Sequence, residues 1–218
     1  MSRMVRVCIL AVLLWAGVSR GGYVYDFEIF NNPTYAGVDT GFTVEVTDKG
    51  LTNRGMGLVG FTFRNQMLLD SSITAVYFDS HGMDSLHAIN SSEGVAFSQG
   101  ACPRELPGWC LLWPWFDTTK DFSADADSRG GKKHNGIDAD DEWLEMVFEL
   151  KRDKEYEDII GYLNNGGSWC RPDMRIGLKV QSLNGCDSAS AVNIVPEPAT
   201  VLLLLIGGLM SRLKLRRG

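Results

Sequence analysis

Apolar and polar residues alternate with a period of two along the middle of the chain. The alternation is clearest over residues 42–47, 59–64 and 174–181. Successive side chains of a strand point to opposite faces, so each segment predicts a strand with one buried and one solvated face. Shorter or more apolar runs predict strands at residues 23–30, 73–79 and 95–98.

Clusters of turn-forming residues separate these runs, at 31–33, 48–50, 79–82 and 164–167. Residues 144–150 also alternate, although Trp143, Val147 and Leu150 fit a helix as well. Residues 156–163 have helical spacing and predict one short helix. Short strands at this spacing predict an all-β fold, an antiparallel β-sandwich or jelly roll.

Residues 1–19 have the pattern of a secretory signal peptide. Arg3 and Arg6 precede an apolar run at residues 7–16, and the small residues Gly17 and Ser19 offer a cleavage site. An uncleaved anchor is the alternative, but the run is shorter than the roughly 20 residues that span a bilayer.

The other end of the chain carries three elements in order. Pro196, Glu197 and Pro198 come first, the apolar run of residues 200–210 follows, and a basic cluster occupies residues 212–217. Basic residues are retained on the cytoplasmic side of a membrane, so we expect a hydrophobic helix with the preceding residues outside. This helix is short for a stable span, which favours a temporary anchor. A permanent single-span anchor is the alternative.

This tail resembles the PEP-CTERM sorting signal of Gram-negative bacteria over residues 196–218. Residues 71–79, 105–108 and 175–183 resemble segments that recur in uncharacterised PEP-CTERM proteins. The resemblance implies recognition by an exosortase, cleavage near Glu197, and delivery to the cell surface or an exopolysaccharide matrix. It implies no activity, and the four cysteines and the tryptophan-rich insert of this chain depart from the usual pattern.

Removing both ends leaves residues 20–195, the size of one domain. This body contains 15 basic and 26 acidic residues, so its net charge is −11, against −6 for the whole chain. A body this acidic repels phosphates, so we expect no nucleic-acid partner.

The body retains an even number of cysteines: Cys102, Cys110, Cys170 and Cys186. In an exported protein this predicts two disulfides. We favour the local pairs Cys102–Cys110 and Cys170–Cys186. A zinc site is the alternative, but the spacings lack a Cys-x-x-Cys motif.

An acidic stretch is the candidate calcium site. Asp125, Asp127 and Gly130 match the first half of an EF-hand loop, and Asp138 and Asp140 form a second acidic group. The closing bidentate glutamate is missing, because Gly136 holds its position. A solvated acidic loop without metal is the alternative.

Residues 109–116 are the candidate glycan site, since Trp109, Trp113, Trp115 and Phe116 fall within eight residues. Exposed indoles stack on sugar rings, whereas a buried loop plug is the alternative, because tryptophan is usually largely buried. The body, residues 20–195, has no Gly-x-Ser-x-Gly or His-Glu-x-x-His motif.

The sequence therefore predicts an exported structural or adhesive protein of the cell surface or matrix, with extracellular polysaccharide as a candidate ligand. It does not favour an enzyme. The alternative class is a secreted polysaccharide hydrolase using paired carboxylates from residues 117–142, which must face each other at a fixed separation.

The ordered tail generates a prediction about processing. We expect the mature protein to lack the residues after about Pro198, and Glu197→Ala to remain membrane-bound. Intact-mass spectrometry of the secreted protein checks this. Secreted material that retains Arg217 would contradict it.

Overall fold

The computed structural model describes residues 22–38, 40–80, 82–165 and 173–194. The predicted signal peptide of residues 1–19 and the sorting segment of residues 196–218 lie outside these ranges. Within them, no helix is long and apolar enough to cross a bilayer. The elements are ten strands and two short helices: β1 (Tyr23–Ile29), β2 (Phe42–Leu51), β3 (Gly57–Asn65), β4 (Ser72–Ser80), β5 (Met83–Ser91), β6 (Phe97–Gln99), β7 (Ser123–Ala126), α1 (Lys132–Asn135), β8 (Leu144–Leu150), α2 (Tyr156–Asn164), β9 (Met174–Leu183) and β10 (Asp187–Asn193).

All ten strands belong to one sheet, in the order β5-β8-β3-β2-β1-β10-β9-β4-β7-β6. Every pairing is antiparallel, which confirms the predicted all-β antiparallel class. Strand β1 joins the two halves, because Tyr23–Asp26 pair with β2 and Phe27–Ile29 pair with β10. The end strands β5 and β6 approach each other, so the sheet is nearly closed.

Most of the predicted elements are present. The ambiguous segment at residues 144–150 is strand β8, paired between β3 and β5, and the helix predicted at residues 156–163 is α2. Strands β5, β7 and β10 were not predicted. Strand β7 lies inside the acidic stretch that the sequence indicates to be a loop.

The main core lies between the two halves of the curled sheet. Phe78 of β4 occupies its centre, with ring centroids 5.0 Å from Phe61 of β3 and 4.9 Å from Phe148 of β8. Both pairs meet edge to face, which is a favoured geometry for aromatic rings. These contacts bring opposite halves of the sheet together across one apolar interior.

Strand β4 is buried along its whole length, on both faces. Its inward side chains, among them Phe78, belong to the main core, whereas Ala75 and Tyr77 belong to a second small cluster with Leu106 and Phe116. Leu106 and Phe116 come from the connection between β6 and β7. That connection therefore covers the outer face of the sheet.

The central position of Phe78 generates a prediction about stability. Phe78→Ala removes ring contacts from both halves of the sheet and leaves a cavity, so we expect a loss of about 3–5 kcal/mol in the free energy of unfolding. Urea denaturation measures it. Leu68→Ala is the control, because Leu68 is fully exposed and its truncation should change stability by less than about 0.5 kcal/mol. Equal losses in the two variants would contradict the assignment of the core.

Candidate functional site

The connection between β6 and β7, residues 100–122, is called here the aromatic loop. A single 3-10 turn, Trp109–Leu111, opens its tryptophan-rich segment. The three predicted tryptophans are exposed: Trp109 by 36%, Trp113 by 79% and Trp115 by 60%. Phe116, the next residue in the run, is fully buried. The indoles thus lie at the surface, and Phe116 is the residue of this run that packs against the sheet.

The exposed indoles border an open cleft. Trp109 and Trp115 meet edge to face, with ring centroids 5.8 Å apart and planes at 89°. Together with Trp113, Pro114 and the acidic residues Glu105 and Asp117, they line a cleft of about 570 Å³. Ligand sites in proteins fall in this size range and combine apolar walls with a few polar groups.

The tryptophan segment is held from below by Arg175 of β9. The guanidinium pairs with buried Asp79 of β4, Nη2 to Oδ2 2.6 Å, and lies 5.2 Å from the centre of the Phe116 ring. It also donates hydrogen bonds to the carbonyl oxygens of Pro114 at 2.7 Å and Trp115 at 2.6 Å. A planar guanidinium has enough donors to serve all three acceptors at once. The main chain between the indoles is therefore fixed to the sheet.

Two further contacts fix the rest of the aromatic loop. The Tyr77 hydroxyl donates to the carbonyl oxygen of Pro103 at 3.1 Å. Burial raises the pKa of Tyr77 well above its usual range, so the hydroxyl stays protonated as a donor. Gly177 of β9 lies directly beneath the loop, where a Cβ atom would come within 2.6 Å of Leu106 Cδ2. The absence of a side chain at Gly177 allows Leu106 to seat against the sheet.

The structure does not assemble the predicted calcium site. Asp125 lies in strand β7, where its carboxylate pairs with Lys132, and Asp127 pairs with Arg129 at 2.7 Å. The hydrogen bond from Arg129 lowers the pKa of Asp127. Cations from the same stretch thus occupy the carboxylates that resemble an EF-hand.

The second acidic group, Asp138 and Asp140, lies at the surface. Asp138 and Asp140 are exposed, and the neighbouring Glu142 carboxylate accepts the backbone N–H groups of Asp138 at 2.7 Å and Ala139 at 3.1 Å. Across the described ranges, no group of three or more His, Cys, Asp or Glu side chains is placed to hold a metal ion. The acidic stretch forms a strand and turns, and several of its carboxylates make ion pairs or local hydrogen bonds.

The predicted disulfides are not present among the residues that the structure describes. Cys102, Cys110 and Cys186 are exposed free thiols, and Cys102 and Cys110 both lie in the aromatic loop. Cys170 lies outside the described residues, so the pair Cys170–Cys186 is not represented. Oxidation of these thiols after export stays a prediction.

Arg175 and Asp79 are the site residues that the sequence pattern did not indicate. Arg175 falls on the polar phase of the cleanest alternating strand, which predicts a solvated side chain, and Asp79 begins a predicted turn. Both are buried because the aromatic loop covers them. The sequence around Arg175 and Asp79 gives no sign of this burial, because the aromatic loop that covers them lies elsewhere in the chain.

Comparison of the chain with protein-family models, with curated proteins and with solved structures gave no match.

The buried ion pair generates a prediction about the loop. Arg175→Met leaves Asp79 without its counter-charge and the carbonyl groups of Pro114 and Trp115 without donors. We expect a loss of about 3–5 kcal/mol in the free energy of unfolding, together with faster proteolysis within residues 100–122. Asp79→Asn combined with Arg175→Met should recover part of the stability, because no charge is then buried alone.

Arg129→Met is the matched control, since the Arg129–Asp127 pair lies at the surface and contributes little. Unfolding curves and limited proteolysis measure both effects. Wild-type stability in Arg175→Met would show that the aromatic loop is held by other contacts.

Proposed function

We propose that the protein is an exported structural or adhesive protein that binds glycans through the aromatic cleft. The observation that carries the proposal is the exposure of three indole rings on a main chain that is hydrogen-bonded to the sheet. Large exposed apolar surfaces on soluble domains are typical of interaction sites. A main chain that is already fixed loses little conformational freedom when a ligand binds.

The chemistry of the cleft suits a sugar. An indole offers a flat apolar face to the C–H groups of a pyranose ring, and its N–H remains free to donate. Glu105 and Asp117, at the same cleft, offer oxygens that accept hydrogen bonds from hydroxyl groups. Stacking and polar contacts are thus available side by side.

Export and sorting are proposed from the two ends of the chain. The apolar run after Arg6 supports secretion, and the Pro196–Pro198 tail supports exosortase processing and transient anchoring in the inner membrane. The mature domain then reaches the cell surface or an exopolysaccharide matrix. We infer a sandwich of the jelly-roll kind as its scaffold, with the two halves of the curled sheet as the two layers.

Polysaccharide hydrolysis is a second candidate, favoured by one observation. Glu105 and Asp117 line the cleft that holds the indoles, and two carboxylates flanking a bound glycosidic bond are the usual apparatus of glycoside hydrolysis. A binding module retains ligand without turnover, whereas a hydrolase releases new reducing ends.

Trp113→Ala tests the glycan site. Trp113 is the most exposed of the three indoles, so its truncation should weaken oligosaccharide binding by about tenfold or more without changing the unfolding midpoint. Isothermal titration against a panel of neutral and charged oligosaccharides measures the effect. Leu111→Ala is the matched control, because Leu111 is exposed in the same loop but does not line the cleft.

Binding that is equal in the wild type and in Trp113→Ala would reject the cleft as the glycan site. A reducing-end assay on the same oligosaccharides separates the two functions. Release that is lost in Glu105→Gln and in Asp117→Asn would identify a hydrolase, and binding without release would identify a binding protein.

A further inference from the structure

Two acidic residues, Glu105 and Asp117, line the aromatic cleft, although the stacking of a sugar on an indole requires no charge. Asp117 is exposed at its rim, and Glu105 is half-buried with its Oε2 accepting the backbone N–H of Thr118 at 3.3 Å. Of the described residues that line the cleft, none is a lysine, an arginine or a histidine. A ligand in the cleft therefore meets two carboxylates and no cationic lining residue.

Three cationic side chains around the aromatic loop are already engaged in contacts. Arg175 lies beneath the cleft, where Asp79 neutralises its charge and backbone carbonyls accept its remaining donors. Lys179 donates to the carbonyl oxygen of Cys102 at 3.4 Å. Arg104 faces Glu105 across 3.8 Å with its own side chain 74% exposed, and such surface pairs contribute little. A cationic ligand displaces Arg104 from Glu105 at small cost.

The indole rings add to the same electrostatic preference. The face of an aromatic ring is electron-rich and attracts a cation lying within about 6 Å of its centre, tryptophan most strongly. Three exposed indoles beside two carboxylates thus favour a ligand that combines a flat apolar body with a positive charge. The net charge of −11 on the body, residues 20–195, acts in the same direction and repels uronic acids and other anionic sugars.

We propose that the ligand of the aromatic cleft is a cationic glycan, a polymer of amino sugars with free amino groups. The proposal rests on the glycan-binding function proposed above and specifies its ligand class. The pyranose ring stacks on an indole, and the ammonium group faces Glu105 and Asp117. N-acetylation removes the charge and leaves the stacking surface.

The test compares three hexasaccharides of the same linkage by isothermal titration: glucosamine, N-acetylglucosamine and glucose. We expect the glucosamine oligomer to bind about tenfold more tightly than the other two, and this advantage to shrink at high salt, because salt screens exposed charges. In the double variant Glu105→Gln with Asp117→Asn, most of the advantage of the glucosamine oligomer over the N-acetylated oligomer should disappear. Glutamine retains the oxygen that accepts the Thr118 N–H, so the loop should fold normally.

Asp84→Asn is the matched control, because it removes an exposed carboxylate that does not line the aromatic cleft and should keep the advantage. Equal wild-type affinity for the amino and N-acetylated oligomers would overturn the cationic ligand and leave glycan binding standing. An advantage that survives undiminished in the double variant would also overturn it, because Glu105 and Asp117 would then not be its cause. Failure of all three oligomers to bind would reject both the ligand class and the glycan-binding function.

Discussion

Arg175 and Asp79 face each other across strands β9 and β4, and water reaches neither of them freely. Burying two charges is unfavourable unless further hydrogen bonds satisfy them. The aromatic loop supplies those bonds, with carbonyl groups for the guanidinium and the N–H of Asp117 for the Asp79 carboxylate at 3.2 Å. The pair needs the loop to complete its hydrogen bonds, and the loop needs the pair to fix its main chain.

Strand β4 connects this arrangement to the rest of the fold. Phe78 faces the main core and Tyr77, one residue earlier, faces the aromatic loop. The cleft therefore stands on a central strand that is covered on both sides. Elements of this kind open least often in native proteins, whereas binding loops are commonly among the most mobile. The aromatic loop of this protein is attached to a strand that is buried along its whole length.

The hydrophobic pattern anticipated the fold class better than the number of strands. Strands β2, β3 and β9 alternate clearly because one face of each packs on the core. Strand β10 escaped prediction because its buried inward residues include Ala189 and Ala191, which give a weak apolar signal. Strand β5 lies at an end of the sheet and is largely exposed, and β7 has only four residues.

The candidate site was predictable in part, because the tryptophan run is visible in the sequence. Which of the aromatic side chains are exposed was not predictable. Trp113 and Phe116 are both aromatic, and only the tertiary fold determines that Phe116 is buried and Trp113 is exposed. The surroundings of the EF-hand-like residues were not predictable for a related reason. Lys132 and Arg129 pair with their carboxylates, and a ligand-spacing motif does not consider such contacts.

The attachment of the tryptophan segment through Pro114 and Trp115 carbonyl oxygens has a consequence for how this protein can change. Main-chain acceptors are present whatever the side chain, so positions 113 and 115 can accept substitutions without loosening the scaffold. The exposed side chains are thereby separated from the contacts that hold the loop, as they are in the variable loops of antibodies. A library randomised at these two positions could therefore vary the exposed side chains while the arginine–aspartate anchor is kept.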